Sequence, residues 1–144
     1  MYFQQIPIKK DFKLSATATI HNVNKNNQVS FGLMVRDDIY IDKYDNTIKS
    51  DYVASGALKI ANGEGLWSSS FQRLDGSLKE TKAVKAELPA KGQKIDLEIE
   101  KNGNVYTVKY GKDVATYTAA LNEIDADYVY AGVYTVRAAY VDFS

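Results

Sequence analysis

Apolar and polar residues alternate with a period of two along most of the chain. In Leu14–Ile20, Leu14, Ala16, Ala18 and Ile20 fall on one side and Ser15, Thr17 and Thr19 on the other. Side chains on a strand point alternately to opposite faces, so this is a half-buried strand. Val29–Arg36 repeats the pattern, with Val29, Phe31, Leu33 and Val35 toward a core and Ser30, Gly32, Met34 and Arg36 away from it. Ile95, Leu97 and Ile99 mark another core face, and Val105–Tyr110 is read as its return strand after the turn signal Asn102-Gly103. Further strands are expected at Tyr52–Ile60, Leu66–Arg73, Asp113–Ala119, Tyr128–Tyr134 and Tyr140–Phe143.

Turn-forming residues separate these runs. Asn22–Asn27 holds four asparagines, Asn62-Gly63-Glu64-Gly65 lies between two strands, and Asp75-Gly76 is a tight-turn pair. Asp37–Asp51 reads as an acidic loop, with room for a short strand at Ile39–Ile41. Leu78–Pro89 is the ambiguous segment, where lysines and alanines could hold one helical turn before Pro89 ends it. Nine or ten short strands without a long helix predict an all-β fold, a two-sheet antiparallel β-sandwich. The 144 residues form one domain, 1–144, with no repeat or linker dividing it.

Composition removes several function classes. There are 18 basic and 18 acidic residues, which argues against a nucleic acid or an anionic membrane surface as partner. Without cysteine there is no disulfide framework, and one histidine, His21, makes a zinc site improbable. No run is long enough for a membrane span. Tyrosine is abundant, 11 residues against five phenylalanines and one tryptophan, and suits both strands and wet stacking surfaces.

Three segments together resemble a known group of domains. They are Tyr2-Phe-Gln-Gln-Ile-Pro through Phe12-Lys-Leu-Ser-Ala, then Val29-Ser-Phe-Gly-Leu-Met-Val-Arg-Asp37, then Ile95-Asp-Leu-Glu-Ile-Glu-Lys-Asn-Gly-Asn-Val-Tyr106, with Tyr130-Ala-Gly-Val-Tyr134 in agreement. The chain resembles, over nearly its whole length, the concanavalin-like jelly-roll modules attached to secreted bacterial levanases and pectate lyases. The resemblance implies a carbohydrate-binding module excised from a longer secreted or cell-surface enzyme. Its partners would be a polysaccharide or oligosaccharide and the catalytic domain of the parent chain. A structural calcium ion, present in some members, is implied on the same footing. Members usually carry a further N-terminal strand that this chain lacks.

The candidate chemistry is that of a sugar site. Arg36 offers a planar fork of donors to vicinal hydroxyls or a uronate carboxylate, and Asp37 can accept from hydroxyls, while Gly32 leaves room for close approach. Trp67, on a face with Ser69, Phe71 and Arg73, can stack on a pyranose or fill a core. Tyr128, Tyr130 and Tyr134 share a face with Gly132, as a groove floor or as ordinary cross-strand packing, and Arg137 lies just beyond. The binding residues expected are thus Arg36, Asp37, Trp67, Tyr130, Tyr134 and Arg137.

Asp37, Asp38, Asp42, Asp45 and Asp51 with Asn46 supply oxygens of the kind calcium takes, but no EF-hand pattern occurs and a solvated loop explains them. Asp96, Glu98 and Glu100 alternate on one strand face, at a spacing of about 7 Å that a glycosidase pair could use. Neighbouring lysines and the turn that follows favour a solvated sheet face instead. No nucleophile elbow or phosphate loop is present. The reading is a non-catalytic sugar-binding domain. Its alternatives are a structural domain packed against a catalytic one, and an unusual hydrolase or lyase.

Overall fold

The computed structural model describes residues 1–24, 28–39, 50–59, 67–74, 77–79 and 85–144, and of residues 67, 68, 77–79, 85 and 86 the backbone alone. Among the described residues there are twelve strands and no helix: β1 (Tyr2–Pro7), β2 (Phe12–Val23), β3 (Val29–Arg36), β4 (Tyr52–Lys59), β5 (Trp67–Leu74), β6 (Ser77–Lys79), β7 (Lys85–Ala86), β8 (Lys94–Asn102), β9 (Val105–Tyr110), β10 (Asp113–Thr118), β11 (Tyr128–Val136) and β12 (Ala139–Phe143). They form two antiparallel sheets. One runs β1-β11-β3-β4-β5-β6, with β7 also paired to β5; the other runs β10-β9-β8-β2-β12.

The core lies where the two sheets face each other. Phe31, Leu33 and Val35 of β3, Val53 of β4 and Val129 of β11 meet Leu97 and Ile99 of β8 and Tyr106 and Val108 of β9, all at 1% exposure or less. Burying each such side chain is worth about 1.5–3 kcal/mol. Polar ties add to the seam: Ser70 and Tyr117 hydroxyls lie 3.0 Å apart, and Ser55 Oγ donates to the Lys109 carbonyl.

The alternation read from the sequence places most strands within one or two residues. The β8–β9 hairpin closes with Asn102 opposite Val105, so its loop is Gly103-Asn104 rather than Asn102-Gly103. Gly103 (φ +58°) and Gly111 (φ +58°), which opens the β9–β10 loop, take the positive φ that a glycine first in a two-residue loop supplies. Strand β2 runs on past Ile20 to Val23, so His21 is a strand residue and not the start of a turn. Tyr2–Pro7 is a full edge strand against β11. The Leu78–Pro89 segment contributes Ser77–Lys79 and Lys85–Ala86 as strand, while the segments read as turns at Asn62–Gly65 and Asp75-Gly76 lie outside the described residues.

The register of the larger sheet sets its outward face. Tyr130, Arg36, Tyr52 and Arg73 are successive partners across β11, β3, β4 and β5. The next outward row is Gly132, Met34, Ala54 and Phe71, and the one after is Tyr134, Gly32 and Gly56. Gly32 and Gly56 face each other where strand backbones crowd: a Cβ on Gly32 would sit 2.2 Å from the Ser55 carbonyl oxygen, and one on Gly56 2.1 Å from that of Phe31. Gly32 also holds φ +148°, which other residues rarely adopt.

Two stability measurements follow. Gly32→Ala should lower unfolding free energy by at least ~2 kcal/mol, clearly more than Gly103→Ala, whose added methyl meets nothing within 4 Å. Tyr106 is fully buried and its hydroxyl lacks a hydrogen-bond partner. Tyr106→Phe should therefore raise the urea midpoint, by about 1 kcal/mol of stability.

Candidate functional site

A second apolar cluster, separate from the sandwich core, sits on the outward face of the larger sheet. Met34, Ala54, Phe71 and Tyr134 are buried there, with Tyr52 and Leu58 packed against them. Met34, Leu58, Phe71 and Tyr134 floor a pocket of about 340 Å³ whose upper wall is the row Arg36, Tyr52 and Arg73. Its size is within the range of small-ligand sites, and its make-up, an apolar floor with a few polar groups, is theirs too.

Arg36, Tyr52 and Tyr134 are held in place. Arg36 Nε donates to Ser50 Oγ at 3.0 Å, Nη2 donates to the same oxygen, and Nη1 points to Met34 Sδ at 3.8 Å. The guanidinium carbon lies 5.3 Å from the centre of the Tyr52 ring, a cation–π distance. The Tyr52 ring in turn meets Phe71 edge-on, with centroids 6.0 Å apart at 87°. Tyr134 is 5% exposed and its hydroxyl shares a 2.9 Å hydrogen bond with Ser30.

Burial depresses the Arg36 pKa, and the Arg73 charge pushes the same way, while Tyr52, Asp37 and Asp38 oppose it. Arginine remains charged at neutral pH even so. Burial raises the Tyr52 phenol, against the pull of Arg73 and Arg36. The wall is thus two cations with a neutral phenol between them.

The structure brings some of the expected residues together and separates others. Arg36 and Tyr134 line the pocket. Tyr130 stands beside Arg36 in the register, but its hydroxyl donates to Asp125 Oδ2 at 2.7 Å and accepts from Gln5 Nε2 at 3.3 Å, with Phe3 edge-on at 5.8 Å. Arg137 is exposed in the turn after β11, one residue past the pocket rim at Val136, at φ +60°. The Trp67 side chain lies outside the described residues; its backbone pairs with Lys59 and Ala86.

Asp37 does not reach the pocket. It follows Arg36 on the opposite side of the chain, is 0% exposed, and neither carboxylate oxygen has a hydrogen-bond partner. Burial, reinforced by the nearby Asp51, raises its pKa from 3.8 to about 6. Among the described residues, the orphaned carboxylate is the feature that suits a calcium ion. The described residues contain no group of three or more acidic or histidine side chains to complete such a site. Asp42, Asp45 and Asn46 lie outside the described residues.

Tyr52, Phe71, Arg73 and Met34 are among the pocket residues that sequence reasoning did not single out. The signal was present for Phe71 and Arg73, which share the Trp67 face by alternation. What was missing was the register that sets Arg73 two strands from Arg36.

Two other depressions line the smaller sheet. One, about 290 Å³, contains Thr17, Asp96, Glu98 and Lys109, but its polar groups satisfy one another. Glu98 is gripped by Lys109 at 2.7 Å and Lys13 at 2.9 Å, which hold its pKa below the usual value, and Asp96 accepts from Thr17 at 2.8 Å. A general acid needs a raised pKa, so Glu98 is set up against that role. The other, about 700 Å³ and broad, runs between residues 87–90 and 110–113 and offers no exposed aromatic platform among its described residues.

Fold and site together define a jelly-roll β-sandwich with a cationic, aromatic pocket on one outer face. Among known proteins, pectate lyase L of Thermoclostridium stercorarium is 28% identical over 144 residues, covering 99% of this chain but 11% of that protein. The chain therefore spans about a ninth of that relative's length. The carbohydrate-binding module CBM66 from Bacillus subtilis superposes with a TM-score of 0.52 at 15% identity, covering 98% of this chain and 74% of that one. Sheep galectin-11, in complex with glycerol, gives 0.50 at 15% identity, covering 99% and 96%. These likenesses establish the fold. No family model matches the chain.

Asp37 generates a pH prediction. A folded-state pKa raised above the unfolded value means the native state binds the proton more tightly. The Asp37 contribution to stability is then greatest below about pH 4 and is lost as pH rises to about 6. Asp37→Asn should add about 1–3 kcal/mol near neutral pH and flatten the slope between these limits, read as urea midpoints with a chelator present.

Proposed function

We propose that this chain is a non-catalytic carbohydrate-binding module that holds its glycan on the outward face of the larger sheet. The observation that carries the reading is the Arg36–Tyr52–Arg73 row standing over the floor of Met34, Phe71 and Tyr134. A sugar ring needs an apolar surface for its C–H face and rigid donors for its oxygens, and this pocket has both. Tyr130 flanks the row, and Trp67 and Arg137 lie on the strand and turn that border it. The similarity to a segment of pectate lyase L supports a setting in polysaccharide degradation, with the module targeting an attached, secreted catalytic domain. The sandwich fold, shared with a carbohydrate-binding module and a galectin, is compatible with that role. The grip of two lysines on Glu98 favours binding over hydrolysis. No helix among the described residues is long and apolar enough to cross a membrane.

Affinity electrophoresis against a panel of uronides, fructans and glucans tests this. At least one polysaccharide should retard the protein. Arg36→Ala and Tyr52→Ala should each weaken that binding about tenfold or more, corresponding to ~1.4 kcal/mol. His21→Ala, on the opposite sheet, should leave it unchanged. Absence of retardation on every polysaccharide would remove the function, and wild-type retardation of folded Arg36→Ala and Tyr52→Ala proteins would remove the site.

A further inference from the structure

We infer that the pocket selects a carboxylated glycan, a uronide, whose carboxylate is received between the guanidinium groups of Arg36 and Arg73. The inference rests on the carbohydrate-binding reading and names the class of sugar.

The register is the first support. Arg36 and Arg73 are the two cross-strand partners of the same residue, Tyr52. Their backbones are therefore two strand spacings apart, roughly 9.5 Å, and their side chains leave the same face on either side of Tyr52. The Arg36 guanidinium is fixed by Ser50 and lies 5.3 Å from the Tyr52 centroid. The two cations feel each other, since Arg73 is among the groups that disfavour the charge on Arg36. A carboxylate placed between them would meet both positive charges at once.

The inventory of donors and acceptors is the second. A neutral sugar hydroxyl both donates and accepts, so a site for neutral sugar offers both kinds of partner. The described side chains that line this pocket supply two guanidinium groups, which only donate, and the hydroxyls of Tyr52, Tyr134 and Ser30, the last two bonded to each other. No Asp or Glu is among the described residues that line it. The acids that act on Arg36, Asp37 and Asp38, are not in its walls, and Asp37 faces the opposite way. A carboxylate is an acceptor only and fits a guanidinium fork in two-point fashion.

The floor is the third. Phe71, Met34 and Leu58 beneath the cations give an apolar surface that a free inorganic anion would not use. A ring with an apolar face and a carboxylate at its rim uses both parts.

The test compares polygalacturonate with its fully methyl-esterified form, which keeps the backbone and loses the charge, and with dextran sulfate as a generic polyanion. Calorimetry on the intact chain should show polygalacturonate bound at least tenfold more tightly than the ester or dextran sulfate, with affinity falling as salt rises. Arg73→Gln should lose about tenfold on the acid and less than about threefold on the ester, and Arg73→Lys should recover only part, because a point charge lacks the planar fork. The wild-type comparison needs no variant and so does not depend on Arg73→Gln folding. Equal binding of acid and ester would overturn the carboxylate assignment and leave the glycan-binding reading standing. Equal binding of dextran sulfate would mark a generic anion surface and overturn it as well. Binding to none of these, with binding to a neutral polysaccharide of the panel, would overturn this inference alone; binding to no polysaccharide at all would overturn both.

Discussion

Strand β3 is covered on both of its faces, and the rest of the structure follows from how that is done. Its residues from Val29 to Val35 are all buried, and exposure returns only at Arg36. On the inner side Phe31, Leu33 and Val35 pack against the smaller sheet. On the outer side nothing from that sheet is available, so the larger sheet covers itself, with Met34, Ala54, Phe71 and Tyr134 closing over the glycine positions. Gly32 and Gly56 leave no side chain there, and the crowding of carbonyl oxygens allows none. The pocket is the space left between Tyr134 on one side of the glycines and the Arg36–Tyr52–Arg73 row on the other.

This arrangement decides which chemistry the pocket can perform. Arg36 is placed at the end of a fully buried strand, so its guanidinium is partly desolvated and anchored by Ser50 rather than free in water. Interactions with a desolvated, preoriented cation are stronger and more directional than with a mobile surface one. The cost appears one residue later. The alternation that turns Arg36 outward turns Asp37 inward, where its carboxylate is buried without a partner and its pKa rises to about 6. Site and strain are thus two sides of one backbone register.

Much of the fold could be read from the residues because a half-buried antiparallel strand writes its two faces directly into the sequence. Val29–Arg36 and Val105–Tyr110 have the bounds that alternation predicts. Tyr2–Pro7 carries no such alternation, because an edge strand exposed along nearly all its length needs none. Arg36 and Tyr134 could be placed on the outward face for the same reason that β3 could be placed at all. Asp37 was expected beside them because it is adjacent in sequence, whereas adjacency on a strand means opposite faces. Arg73 and Tyr52 were not singled out because their nearness to Arg36 is a matter of register across three strands. Periodicity within one strand does not encode that, and here a bulge between Ser55 and Leu58 shifts it further.

The most direct test of the account is an amide-resolved NMR titration with a short oligogalacturonide. The account predicts shift changes confined to the outward rows of β3, β4, β5 and β11, strongest around Arg36, Tyr52 and Arg73, with β2, β8 and β12 silent. Changes centred on the smaller sheet, at His21, Asp96 or Tyr140, or no change at saturating sugar, would contradict it.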